Sequence, residues 1–513
     1  MTPFKNQEVW EFKDAEQLAK QKKAIEKVRA NFGKEYPNYI NGKESITDKK
    51  TKSYNPSNKS ELIGTFQKAG QAEAEAAHKA AQEAFKTWKN VPATTRAEYL
   101  FKAAQAVRDR RYEINAWMIS EAGKNYVEAD ADTCEAIDFL EFYGREMIRY
   151  SQKQELTRVE GEDNDYFYIP LGVGVVVPPW NFPFAILVGM TSAAIVSGNT
   201  VVLKPSSDTP MMGWLFADIM NKLGLPAGVL NFLVASGAET GDYLVDHPQT
   251  RFISFTGSME VGIRINERAA KVNPGQIWLK RVIAEMGGKD AMIIDSEFKD
   301  LDFAADQVVK AAFGFQGQKC SAGSRAIIDQ AVWDKVVPLI VEKTKALNVG
   351  DAKDNFSAGP VINEGAFKTI MNYIEIGSKE GKLLYGGADE NTSGWYIKPT
   401  VIETGENDTI AKEEIFGPVL SLIKSKDFEH SIEIFNSTIY GLTGGILTDN
   451  EEKLKRARHE LHCGNLYLNR KCTGALVDVH PFGGFNMSGT DSKAGSRDYL
   501  LLFMQGKSVT RKV

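Results

Sequence analysis

Gly172-Val173-Gly174-Val175-Val176-Val177-Pro178-Pro179-Trp180-Asn181-Phe182-Pro183 opens on a short apolar run and stops at a pair of prolines. An apolar run with no polar alternation reads as a strand buried on both faces. Three more follow, at 200–203, 229–234 and 252–255, and helical stretches separate them. Buried strands alternating with helices predict a parallel sheet covered on both sides. A second series begins near Glu285 and extends to about Gly484, with strands expected at 291–294, 324–328, 419–423, 444–447 and 465–468. The fold class is therefore α/β, built from two such units.

Around this frame, residues 11–35 are charge-dense and predict a surface helix. Residues 36–43 read as a strand ending in an Asn-Gly turn. Residues 71–88 and 92–121 predict two helices, the second starting just after Pro92. Residues 155–169 alternate about Gly161-Glu162-Asp163-Asn164 and predict a hairpin. The last residues, 507–513, predict a strand with no local partner; pairing with the hairpin, within or across subunits, would cover its edge.

At 513 residues the chain exceeds one small core and suggests about three domains. The net charge of −5 is not that of a nucleic-acid binder. Four cysteines, Cys134, Cys320, Cys463 and Cys472, are too few for a disulfide scaffold and suggest a reducing compartment, the cytoplasm. The six histidines lack the spacing of a zinc site, so no metal is expected. The longest apolar stretch, 183–203, is broken by glycines and hydroxyl residues, which argues against a membrane span.

Chemistry concentrates at Gly317-Gln318-Lys319-Cys320-Ser321-Ala322-Gly323. A cysteine among small polar residues, with a cation beside it in sequence, suits a nucleophilic thiolate. Upstream, Ala284-Glu285-Met286-Gly287-Gly288 offers Glu285 as a base for hydrolysing an acylated sulfur. Asn181, after the 173–177 strand, can donate to a developing oxyanion. Lys204 closes the next strand, where nucleotide ribose or phosphate is met in α/β sheets. Phe255-Thr256-Gly257-Ser258-Met259-Glu260-Val261-Gly262 is a strand, a turn and a helix start, with free N–H groups for a pyrophosphate. Glu414 can accept from ribose hydroxyls, and Phe416 can pack on a flat ring. Taken singly, Asn181 reads as a turn residue, Lys204 as a solvated lysine and Glu414 as part of an acidic surface turn. Gly172-Val173-Gly174 lies inside a strand, so the usual dinucleotide fingerprint is absent.

In this order the motifs resemble the aldehyde dehydrogenase superfamily from about Tyr39 to Arg511. The resemblance implies an NAD(P)-binding domain (1–150 and 172–284), a catalytic domain (285–484) and an oligomerisation segment (151–171 and 485–513). Both large domains would be doubly wound, and the small β hairpin would join subunits into a homodimer or higher homo-oligomer. It implies Cys320 as nucleophile, Asn181 in the oxyanion hole and Glu285 as the hydrolytic base. Trp180, Lys204, Ser207, Thr256, Gly257, Ser258, Gly262, Glu414 and Phe416 would bind the dinucleotide. Strictly NAD-specific members often carry a Glu where this chain has Ser207, so NAD is the expected cofactor and NADP is expected to be tolerated.

Residues 471–493 are similar to the anchor loop of 1-pyrroline-5-carboxylate dehydrogenases, which oxidise L-glutamate γ-semialdehyde to glutamate in proline and arginine breakdown. That likeness sets the substrate carboxylate against Ser321, Gly474 and Ala475 and the aliphatic chain against Phe485, with Glu135 in the pocket wall. A proline dehydrogenase partner would then supply the substrate. Alternatives are another semialdehyde or a broad-specificity enzyme, a non-catalytic member, and a cysteine hydrolase; the last lacks a histidine near Cys320.

Overall fold

The 173–177 run becomes an interior strand of a seven-stranded sheet in the computed structural model, which describes residues 2–513. Across that sheet the strands are Arg281–Glu285, Thr250–Thr256, Val173–Val177, Thr200–Leu203, Leu230–Phe232, Asn38–Ile40 and Lys43–Ser45. The first five are parallel, and 38–40 pairs antiparallel with both of its neighbours, 230–232 and 43–45. Alternation along each strand assigns its two faces. Val176, Val201 and Leu203 share a core with Leu187, Ala194 and other residues of helix Ala185–Val196. Val173, Val175 and Val202 face Ala74, Ala77 and Ala81 of helix Gln71–Trp88. Both faces are covered, which is why these strands carry no polar alternation.

The second sheet repeats the arrangement in the order Lys382–Ala388, Ile397–Thr404, Val419–Ser425, Arg325–Asp329, Ala291–Ile294, Thr443–Leu447 and Asn465–Leu468. Met292 and Ile294 pack with helices Leu301–Phe313 and Gln330–Lys345, whereas Ala291 and Ile293 pack with Phe428–Phe435 and Glu451–Glu460. The two strands at one edge, 382–388 and 397–404, were not legible as strands. Gly386, Gly387 and Pro399 interrupt the run of strand-forming residues, and tertiary pairing overrides that weak local preference.

Two other expectations are corrected. Residues 92–121 are not one helix: Ala93–Asp109 and Arg111–Ala122 meet at Arg110, whose φ of −105° and ψ of 13° break the run. The break directs Arg111 into a buried ion pair with Asp130 at 2.5 Å. Residues 155–169 are not a hairpin either. One strand, Glu162–Pro170, pairs antiparallel with Met504–Lys512 of the same chain, in register from Pro170 opposite Met504 to Glu162 opposite Lys512. The Asn-Gly turn is present, with Asn41 and Gly42 both at positive φ between strands 38–40 and 43–45.

Asn199 ties this ribbon to the first sheet. Its Oδ1 accepts from the backbone N–H of Leu171 at 2.8 Å and of Gly172 at 2.9 Å; its Nδ2 donates to the carbonyls of Ala194 at 3.1 Å and Phe503 at 2.9 Å. All of these bonds are buried, so truncation strands several backbone groups at once. Asn199→Ala is expected to lower stability by about 4 kcal/mol. A urea unfolding curve shifted by less than about 1 kcal/mol would contradict this account.

Candidate active site

Strands of the first sheet end together at one cleft. Val177 leads into Pro178, Pro179, Trp180 and Asn181; Leu203 into Lys204; and Thr256 into Gly257 and Ser258. The second sheet supplies the opposite wall: Cys320 precedes strand 325–329, and Glu414 with Phe416 precedes strand 419–425. The cleft therefore lies outside the carboxyl ends of one sheet and the amino ends of two strands of the other. Its volume is about 510 Å³.

The turn that delivers Cys320 is strained. Phe315, Gln316 and Gly317 have consecutive φ values of 50°, 55° and 66°. Left-handed conformation is costly for Phe and Gln, and it persists because the surroundings over-determine it. Gln316 Nε2 donates to the carbonyls of Gly123 at 3.2 Å and Pro360 at 2.9 Å. Gln318 Oε1 accepts from the N–H of Ile362 at 2.9 Å, and the Gln318 carbonyl accepts from Asn181 Nδ2 at 3.1 Å. That last bond joins the oxyanion candidate to the nucleophile's own turn.

The cation beside Cys320 in sequence does not act on its sulfur. Lys319 turns away into an ion pair with Glu128 at 2.7 Å. Burial, then the nearby carboxyls of Asp290, Glu414 and Glu285, push the Cys320 thiol well above its ordinary value. The thiol is therefore protonated at rest, contrary to the expectation from chain adjacency.

Glu285 is held from below. Ser492 Oγ donates to its Oε1, and its Oε2 has no partner. Burial pushes the Glu285 carboxyl up to about 8, although Ser492 and Lys493 partly oppose the rise. Glu414 Oε1 accepts from the N–H of Gly288 at 2.9 Å, and burial raises this carboxyl to about 7. Gly287 and Gly288 make the passage between these groups possible. A Cβ at Gly287 would lie 2.0 Å from Glu414 Oε2, and one at Gly288 would lie 2.6 Å from the Cys320 carbonyl oxygen.

The opposite end of the cleft fits a dinucleotide. Lys204 is buried and lines it, yet its ammonium meets only the Pro205 carbonyl at 3.5 Å, and burial lowers it to about 8. Ser258 caps helix Met259–Ala270, accepting from the Val261 N–H at 3.4 Å, so further first-turn N–H groups are free. Trp180 and Phe416 form an edge-on pair 5.4 Å apart beside Glu414. A cation without a carboxylate, a helix N-terminus and an aromatic wall suit phosphate, ribose and a flat ring.

The structure thus gathers Trp180, Asn181, Lys204, Ser207, Thr256, Gly257, Ser258, Cys320, Glu414 and Phe416 in one cleft. Gly262 stands behind it, where its missing Cβ leaves room for Met286 Sδ, 2.4 Å from the ideal Cβ position. The Ser321 carbonyl accepts from Cys472 Sγ at 3.6 Å, which ties the nucleophile turn to the loop bearing Gly474 (φ 82°) and Ala475. The Phe485 ring packs on His462 at 5.2 Å and under the Lys493 ammonium at 5.3 Å. Glu135 is half-buried, and burial with Asp132 and Asp138 raises it to about 8. Sequence reasoning missed Asp208, Met286 and Gly287 in the cleft and Ser492 beneath Glu285. No local signal marks Ser492, which lies 207 residues from its partner. Among the described residues, no cluster of three or more His, Cys, Asp or Glu is arranged for a metal ion, and no helix is long and apolar enough to cross a membrane.

The aldehyde dehydrogenase family profile matches residues 43–509. A 1-pyrroline-5-carboxylate dehydrogenase of Geobacillus thermodenitrificans is 57% identical over 489 residues, 95% of either chain. The solved structure of 1-pyrroline-5-carboxylate dehydrogenase from Thermus with bound NAD is 48% identical and covers 100% of both chains, with a TM-score of 0.99. Proline utilization A (PutA) from Bdellovibrio bacteriovorus is 41% identical with a TM-score of 0.98, and the match takes in 99% of this chain but 53% of that one. By sequence and by fold, the chain belongs to the aldehyde dehydrogenase family.

Proposed function

We propose that this enzyme oxidises L-glutamate γ-semialdehyde, the hydrolysed form of 1-pyrroline-5-carboxylate, to L-glutamate with NAD, in proline and arginine degradation. The observation that carries this reading is the full-length likeness to the Geobacillus and Thermus enzymes of that name, the second with NAD bound. Residues 1–150 and 172–284 form the cofactor-binding part, and 285–484 the catalytic part. The cytoplasm is the expected location for a chain whose four cysteines are all free. The exposed ribbon of strands 162–170 and 504–512 is marginal alone and gains stability against a second copy of the chain. The PutA match to about half of a longer chain supports a proline dehydrogenase as supplier of the substrate.

Lys204, Ser207 and the Ser258 helix start would hold the adenosine and phosphate part of NAD, and Trp180, Glu414 and Phe416 would hold its nicotinamide end. The Cys320 thiol releases its proton to solvent water as its sulfur bonds to the aldehyde carbon. The carbonyl oxygen becomes an oxyanion that accepts from Asn181 Nδ2. The chemistry supplied by NAD when bound is acceptance of the hydride from the Cys320 adduct, which leaves a thioester. Glu285 then takes a proton from water; the resulting hydroxide adds to the thioester carbon, the C–S bond breaks, and the proton held by Glu285 passes to the departing sulfur, so the acid leaves and both the Cys320 thiol and the Glu285 carboxylate are restored. Ser321, Gly474 and Ala475 meet the substrate carboxylate. Phe485 packs on the aliphatic chain of the substrate.

The specificity test is a comparison of kcat/KM. Glutamate semialdehyde is expected to exceed propanal and succinate semialdehyde by about a hundredfold; comparable values would remove the reading in favour of a broad-specificity enzyme. For cofactor choice, Ser207 can hydrogen-bond a 2′-phosphate, so NADP is expected to support turnover more weakly than NAD, and no NADP turnover at saturating semialdehyde would refute that role. A third expectation follows from Glu285. Its carboxyl is protonated below about pH 8 and becomes a base above it, so thioester hydrolysis should accelerate as pH rises through about 8. Glu285→Gln should abolish that rise, slow hydrolysis by about 10²–10⁴-fold and leave an acylated Cys320 visible by mass spectrometry after one turnover. A Gln variant with a parental pH profile would exclude Glu285 as the base.

A further inference from the structure

Lys124 lies outside the cleft and touches neither wall of it directly, yet it sits where the two catalytic loops converge. It follows Gly123, whose φ of 69° ends helix Arg111–Ala122, and precedes helix Tyr126–Tyr150. Its side chain is fully buried. The ammonium lies 4.0 Å from the ring centre of Phe182 and 4.6 Å from that of Phe315. Phe182 directly follows Asn181, and Phe315 begins the left-handed turn that leads to Cys320. The cation is thus held by one ring from the oxyanion loop and one from the nucleophile loop.

Its carboxylate partner extends the same grip. Asp132 Oδ2 meets the ammonium at 2.8 Å, while Asp132 Oδ1 accepts from the N–H of Ala185 at 2.5 Å, at the start of helix Ala185–Val196 beyond Asn181. A buried ion pair alone gives weak grounds for assigning a role, because desolvation opposes the attraction. Here the cation is also shared by two rings from separate loops, which a simple structural pair does not require. Desolvated cation–π contacts are among the stronger of their kind. The Asn181–Gln318 hydrogen bond closes the other side of the assembly.

The geometry points to Lys124 as a positioning residue that fixes the distance between the Asn181 amide and the Cys320 sulfur through Phe182 and Phe315. This rests on the reading of Cys320 and Asn181 as nucleophile and oxyanion donor. Lys124 acts on the covalent step and not on the dinucleotide end, where Lys204, Ser258 and Glu414 sit.

The test uses the full-length enzyme, with propanal as well as glutamate semialdehyde as substrate. Lys124→Met is expected to lower kcat about a hundredfold with either aldehyde, as displacement of a reacting group by about 1 Å does, while KM for NAD stays at the parental value. Because this change also leaves Asp132 unpaired, the decisive variant is Lys124→Met with Asp132→Asn. The neutral pair keeps an acceptor for the Ala185 N–H and buries no charge. Its Tm should return toward that of the parent while kcat remains low, whereas Lys124→Arg should recover most of kcat by restoring a cation between the rings. A neutral pair with parental kcat, or an Arg variant no faster than Met, would overturn the proposal. Equal parental rates on the two aldehydes would count against the substrate assignment only, since the variant-to-parent ratio is read on each aldehyde separately.

Discussion

The backbone of Gly287 and Gly288 passes between the Cys320 carbonyl and the Glu414 carboxylate, and the arrangement of the cleft depends on that passage. Neither position has room for a side chain. Because the passage is so narrow, the end of the first sheet touches the nucleophile turn and the nicotinamide-end clamp of the second at once. The N–H of Gly288 fixes Glu414, and the Met286 N–H donates to the Ser488 carbonyl at 2.7 Å, which brings in the loop that carries Ser492. One short segment thereby sets the relative positions of base, nucleophile and clamp.

Close packing of these groups has an electrostatic cost that shapes the resting state. Cys320, Glu285, Glu414 and Asp290 crowd together in low dielectric, and burial raises all four toward their neutral forms. The one buried ammonium among them, Lys289, has no hydrogen-bond partner and is lowered to about 7, by burial first and then by Arg325. A bias of each group toward its neutral form lessens the cost of unpaired buried ions. The same burial favours the protonated Cys320 thiol.

Much of the architecture could be read locally. The strands at 173–177, 200–203 and 291–294 are largely apolar runs, and each becomes a buried parallel strand. The same reading failed where local pattern and pairing diverge. Glu162–Pro170 has its partner more than three hundred residues away, at 504–512, and no periodicity can reveal a partner at that separation. The break at Arg110 was hidden because Asp109 to Arg111 contain no glycine or proline; the buried Arg111–Asp130 pair decides it.

For the site, sequence alone determined which residue types were available for chemistry: a cysteine in a small-residue turn, a glutamate before two glycines, an asparagine at a strand end, and a lysine at the next. Those features are local, because each depends on the residues that flank it. Tertiary structure alone decided what surrounds them. Lys319 is adjacent to Cys320 in the chain but pairs with Glu128, and burial with the carboxyls of Asp290, Glu414 and Glu285 raises the thiol. Ser492 reaches Glu285, and Lys124 meets Phe182 and Phe315, across separations with no local signature. Covalent order fixes the groups a chain carries, whereas their protonation and mutual orientation arise from burial and through-space neighbours that only the folded packing brings together.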